Sequence, residues 1–128
     1  MSHFTVVEIE ATDASCLIDA LEACSYKGKI EAHERPVTLI GYDGTPRLLD
    51  GQEVRAEVVI RREHLWVAAN DIGFARQHDG RYVAYISEYD RSVRPRWHTD
   101  VVKEYGAAKA AKELCAQGWK VEIARDQG

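Results

Sequence analysis

The chain has 128 residues, 45% of them hydrophobic and 30% charged, with a formal net charge of −4. That length suits one domain with a core of its own. The acidic balance argues against a general nucleic-acid binder, which is more often basic. No apolar run approaches a membrane span, and the opening Met1-Ser2-His3-Phe4-Thr5 lacks the basic and apolar regions of a signal peptide, so the expected location is cytoplasmic. Cys16, Cys24 and Cys115 show no CxxC spacing and read as reduced thiols in small core positions.

Ser2–Glu10 is the first expected strand, carried by Phe4, Val6, Val7 and Ile9. Thr12 or Asp13 then supplies an N-cap, and Ala14, Leu17, Ile18, Leu21 and Cys24 recur at helical spacing until Gly28 stops the helix. Lys29–Arg35 is polar and Pro36 ends it, with a strand expected over Val37–Tyr42. Asp43-Gly44 and Asp50-Gly51 are turn dipeptides. Val54, Ala56, Val58 and Ile60 alternate with Arg55, Glu57 and Arg61, the pattern of a half-buried strand. Leu65–Ala69 is an apolar run with no clear period.

Ile72–His78 and Arg81–Glu88 flank Asp79-Gly80, the pair favoured in a two-residue type I′ turn. That turn sets His78 opposite Arg81, Phe74 opposite Tyr85 and Arg76 opposite Val83. Asp90–His98 interrupts the β pattern. A second helix is expected from a cap at Thr99 or Asp100, with Val101, Tyr105, Ala108, Ala111 and Cys115 as its apolar stripe and Gly118 at its end. Trp119–Ala124 alternates as a last strand. The order β-α-β-β-(β)-β-β-α-β points to one α+β domain, an antiparallel or mixed sheet with two helices on one face, as a ferredoxin-like variant.

The residues Met1-Ser2-His3-Phe4-Thr5, Gly41-Tyr42-Asp43-Gly44, Ala56-Glu57-Val58-Val59-Ile60, Asp71-Ile72-Gly73-Phe74, Asp79-Gly80-Arg81-Tyr82 and Gly118-Trp119-Lys120-Val121 carry a family resemblance. In this order the chain is similar to the Ycf35-like family (DUF1257), which has no established reaction. The resemblance spans nearly the whole chain. It implies a fold and a class without a mechanism, and an AAA+ ATPase as a partner.

No sequence motif dictates a reaction. His3, His33, His64, His78 and His98 form no HxxxH, HExxH or zinc-spaced group, so no metal or cofactor is expected. The cysteines sit on apolar helix faces and no GxSxG elbow occurs, so no catalytic residue is assigned. Gly41–Gly44 lacks the pattern of a phosphate loop and reads as a turn. His3, Tyr42 and Asp71 are the candidate ligand-binding residues: an imidazole that titrates near neutrality, a turn-edge aromatic, and a carboxylate beside Gly73. With arginines, they could converge on a nucleotide or another anionic metabolite, or His3 could serve a weak hydrolase. Tyr85, Tyr89, Arg94, Arg96 and Trp97 are the candidate partner-binding residues, because exposed aromatics beside arginines anchor protein interfaces. The preferred reading is a small non-catalytic binding or adaptor domain that engages a protein partner through Tyr82–Trp97; the sequence does not fix its oligomeric state.

Overall fold

The computed structural model describes residues 4–121. Among them the elements run β1 (Phe4–Ala11), α1 (Ala14–Leu21), β2 (Ile30–Thr38), β3 (Leu48–Leu49), β4 (Gln52–Glu53), β5 (Arg55–Ile60), β6 (Ile72–Arg76), β7 (Tyr82–Ser87), α2 (Glu88–Val93) and α3 (Trp97–Ala116). Five strands form one sheet in the order β1-β7-β6-β5-β2, every pair antiparallel, while β3 and β4 make a separate two-stranded ribbon. This is the expected α+β class. His3 and residues 122–124 of the expected strand Trp119–Ala124 lie outside the described residues, and residues 119–121 form no strand.

Helix α1 begins where Asp13 caps it, its carboxylate accepting from the Cys16 amide at 3.2 Å. Cys16, Leu17, Ala20 and Leu21 are buried, one stripe of the helix turned to the sheet. After Leu21 the backbone widens into a π-type turn over Glu22–Tyr26. Helix α3 lies beside α1 and is tied to its start: the Tyr105 hydroxyl accepts from the Thr12 and Asp13 amides at 3.0 and 3.2 Å, and Lys112 Nζ donates to Asp13 Oδ2 at 2.5 Å. The core beneath both helices contains Ile9, Leu17, Leu21, Ile60, Phe74, Ile86 and Val101, with Trp97 and Tyr105 packed at its margin.

The opposite face has its own smaller core of Phe4, Leu39, Val54, Ala56, Val59 and Ala75. The chain between β2 and β5, including the β3–β4 ribbon, supplies Leu39, Leu49 and Val54 to it. The sheet is therefore sandwiched between helices and an irregular loop layer.

Four expectations need correction. First, the strand predicted at Val37–Tyr42 runs over Ile30–Thr38 instead. Its pairing with β5 jumps from Ala32 to Val37, so Pro36 sits in a bulge on an edge strand, where its missing N–H breaks no ladder. Second, the hairpin pairs Phe74 with Ala84 and Arg76 with Tyr82, one residue away from the predicted register. The turn is not a two-residue one: Gln77 N donates to Arg81 O and Gly80 N to Gln77 O, with Gly80 left-handed at φ 89°. Asp79 accepts from both Arg81 N and Arg81 Nε at 3.0 Å, which favours this longer loop with its glycine at the left-handed position. Third, Asp90–His98 is largely helical: Ser87 caps α2, and α3 starts at Trp97, before Thr99 or Asp100, without a side-chain cap. Fourth, Cys115 is exposed, because among the residues of α3 only Val101 and Ala108 are buried and its last turns leave the sheet behind.

Candidate interaction surface

The one-residue slip in the hairpin rearranges the predicted partner-binding set, since it moves each β7 side chain to the other face relative to β6. Tyr85 pairs with Gly73 and packs half-buried against the loop-layer core. Trp97 lies under the helices on the opposite side, its ring 6.0 Å from that of Phe74 and its Nε1 donating to Tyr26 Oη at 2.9 Å. Tyr85 and Trp97 are thus separated by the sheet. Tyr89, Arg94 and Arg96 are exposed on or just after α2. Tyr42 is 51% exposed, whereas Asp71 has no exposed surface, so the two share no opening to solvent.

Asp71 instead works as a bracket. Its Oδ1 accepts from Arg62 N at 2.7 Å; its Oδ2 accepts from Ile40 N and Arg61 Nη1, both at 2.8 Å. Asp71 N donates to Ile40 O at 2.9 Å. The same Arg61 gives Nε to Glu31 at 2.9 Å and Nη1 to the Thr38 carbonyl at 3.1 Å. One buried carboxylate therefore pins three segments: the chain leaving β2, the turn after β5 and the start of β6. The hydrogen bond from Arg61 holds the Glu31 carboxyl below its ordinary range, and Glu31 in turn raises the Arg61 guanidinium.

A second bracket stands beside it. Asn70, Ser87 and Asp90 are buried together. Asp90 accepts from Ser87 Oγ at 2.7 Å, from Trp66 Nε1 at 2.9 Å and from the Asn70 amide and side chain at 3.2 Å each. Ser87 Oγ accepts from Asp90 N at 3.0 Å and Asn70 Nδ2 at 2.9 Å, and Asn70 Oδ1 accepts from Tyr42 N at 3.0 Å. Buried polar groups linked this fully rigidify what they hold.

Between the brackets the chain from Leu65 to Asn70 is pressed into an unusual shape. Ala68 is left-handed at φ 61°, a conformation that costs a non-glycine residue about 1–2 kcal/mol. Beside it, Val67 stands 89% exposed. The Tyr89 hydroxyl donates to the Val67 carbonyl at 3.1 Å, fixing the tip. Arg94 stacks over Trp66 at 5.2 Å, and Arg47 lies over Tyr42 at 5.1 Å. Val67, Tyr89 and Tyr42 are thereby presented at one end of the sheet, each aromatic tied down by a hydroxyl bond or an arginine.

Sequence reasoning found Tyr42, Tyr89 and Arg94 but missed Val67, Asn70 and Asp90. Ser87-Glu88-Tyr89-Asp90 has the spacing of a capping box, the signal that could have revealed both α2 and the bracket. A separate groove of about 280 Å³ lies between the Glu22–Tyr26 turn and α3, lined among others by Cys24, Tyr26, Trp97 and Asp100. Among the described residues no three His, Cys, Asp or Glu side chains gather as a metal site, and no helix is long and apolar enough to cross a membrane.

The fold is that of a small α+β domain whose loops at one sheet end are pinned by buried carboxylates. No family model, curated protein or solved structure matches the chain.

Proposed function

We propose that this chain is a non-catalytic protein-binding domain, an adaptor that docks a partner through the Val67–Tyr89–Tyr42 end. The observation that carries the reading is the 89% exposure of Val67 on a strained loop that two buried polar networks hold in place. A large apolar side chain at a rigid loop tip, flanked by immobilised tyrosines, loses little freedom on binding, which suits an interface anchor. The surface includes Tyr89 and Arg94 from the predicted set and adds Tyr42 and Val67; Trp97 supports the core instead. The resemblance to the Ycf35-like family, which has no established reaction, implies a fold and a class without a mechanism. It suggests an AAA+ ATPase as the partner.

A small-ligand reading is favoured by one observation, the groove floored by Tyr26 and Trp97, whose volume of about 280 Å³ suits a compact ligand. It would use those side chains rather than Asp71.

Co-purification from the native cytoplasm tests the docking reading. The wild-type chain retains a protein partner, Val67→Asp loses it, and Asp100→Asn in the groove keeps it. Equal recovery with Val67→Asp would refute docking at this end. Loss of the partner with Asp100→Asn alone would move the interface to the groove.

A further inference from the structure

We infer that the partner offers this surface an acidic segment with an apolar anchor, the anchor meeting Val67 and Tyr89 and the carboxylates meeting Arg91 and Arg94. The inference rests on the docking reading and adds the chemistry of what docks.

The chain carries a formal charge of −4, yet the stretch from Arg91 to Arg96 holds three arginines and no acid. Arg91, Arg94 and Arg96 are all exposed, and none forms an ion pair among the described residues. Arg47, Arg55, Arg61, Arg62 and Arg81 each hold a carboxylate of the chain, and the other described arginines without such a pair, Arg35 and Arg76, stand singly on β2 and β6 rather than in a cluster. Of the two acids on α2, Asp90 is consumed by the buried bracket, which leaves Glu88 as the helix's exposed acid. This end of an acidic protein is therefore locally positive.

Geometry ties the charge to the apolar tip. Arg94 stacks on Trp66, the residue before Val67, and donates Nη1 to the Val93 carbonyl at 3.1 Å. A guanidinium has five donors, so others remain for a carboxylate, and stacking has already fixed the fork's position. Arg91 sits one turn earlier and reaches Thr5 Oγ1 at 3.5 Å, at the start of β1 beside the same sheet end. Tyr89 lies two residues before Arg91 and holds Val67 by its hydroxyl. An apolar residue flanked by Asp or Glu would match this arrangement in both hydrophobicity and sign, and the charges would speed and select its approach.

The test is selection of a random short-peptide display library on the wild-type chain, with Val67→Asp as counter-selection. Enriched peptides are expected to carry Leu, Ile, Val or Phe flanked by Asp or Glu. An enriched peptide should bind Arg91→Glu/Arg94→Glu about tenfold more weakly or worse, and its binding to the wild type should weaken as salt rises. Selection on that charge-reversed variant should turn the flanks to Lys and Arg. Val67 and both arginines are exposed, so circular dichroism should show these variants folded. Neutral or basic flanks, or no enrichment over the counter-selection, would overturn the inference even if Val67 proves to be a docking residue. Acidic peptides that bind Val67→Asp unchanged would instead sink the apolar anchor, and with it the docking reading. Displacement of an enriched peptide by an oligonucleotide would assign the arginines to nucleic acid and likewise overturn it.

Discussion

Leu39 fills the hollow that Gly73 leaves in the sheet. A Cβ built on Gly73 would lie 2.9 Å from both Leu39 methyl carbons and 2.6 Å from Ala56 Cβ. The ladder on either side, Ile60 with Ile72 and Val58 with Phe74, runs through without a bulge, so the glycine is there for space. Leu39 is fully buried and brings the loop layer onto the sheet, and the next residue, Ile40, is the one bracketed by Asp71. Gly73→Ala should therefore destabilise the fold by about 1–3 kcal/mol through overpacking. Leu39→Ala should cost about 2–5 kcal/mol by leaving a cavity. In urea unfolding the double variant should lose less than the sum, since removing Leu39 relieves part of the clash while Ala56 still resists.

Gly80 gives the contrasting case. A Cβ there would meet nothing within 4 Å, but φ is 89°. Gly80→Ala should cost about 1 kcal/mol for the left-handed backbone alone, and Gly80→Asn less, because asparagine tolerates that region. A thermal unfolding series that ranked alanine above asparagine in stability would contradict the turn described for the hairpin.

Asp71 should be among the most sensitive positions. Asp71→Asn removes the charge that faces Arg61 and puts an amide donor beside the Ile40 and Arg62 N–H groups. Breaking a buried pair from one side costs about 3–5 kcal/mol. Chemical denaturation should show a loss of that order, and chemical shifts should move in the residues around Ile40 and Arg62. A loss below about 0.5 kcal/mol, the scale of an ordinary surface change, would remove Asp71 from its bracketing role.

Asp13 makes stability depend on acid. The Lys112 hydrogen bond, helped by Ser15, holds its carboxyl far below the ordinary range. Its folded-state pKa thus lies below the unfolded value of about 4. Its contribution is present above that value and is lost as pH falls through the acid range below it. Asp13→Asn keeps a good N-cap but has no carboxyl to titrate. Below about pH 4 the wild type should lose stability more steeply than Asp13→Asn. Parallel slopes would show that the Asp13–Lys112 pair does not persist in solution.

The sheet and helix layers of this fold could be read from the chain because period and turn signals agree there: Leu17 and Leu21 on α1, Val58 and Ile60 on β5, Val101 and Ala108 on α3; the loop layer over the other face could not. The register of the hairpin could not. Asp79-Gly80 fits both a two-residue turn and a longer loop with a left-handed glycine, and the choice depends on Asp79 bonding Arg81. That one step put Tyr85 on the face away from Trp97. The candidate surface was legible only in fragments. Tyr42, Tyr89 and Arg94 stood out as exposed-type residues, but Asp71 read as an open carboxylate when it is a buried clamp. Val67 lay in an apolar run with no clear period, and no local pattern tells that Ala68 turns left-handed.

Site-specific photo-crosslinking tests the central claim most directly. A photoreactive amino acid is placed at Val67 in the full chain, and in parallel at His78 beside the hairpin turn, and crosslinks are formed in intact cells of the native organism. A docking surface at the bracketed end predicts one discrete protein adduct from position 67, lost in the Tyr89→Ala background, and none from position 78. No adduct from position 67, or the same adducts from both, would contradict it.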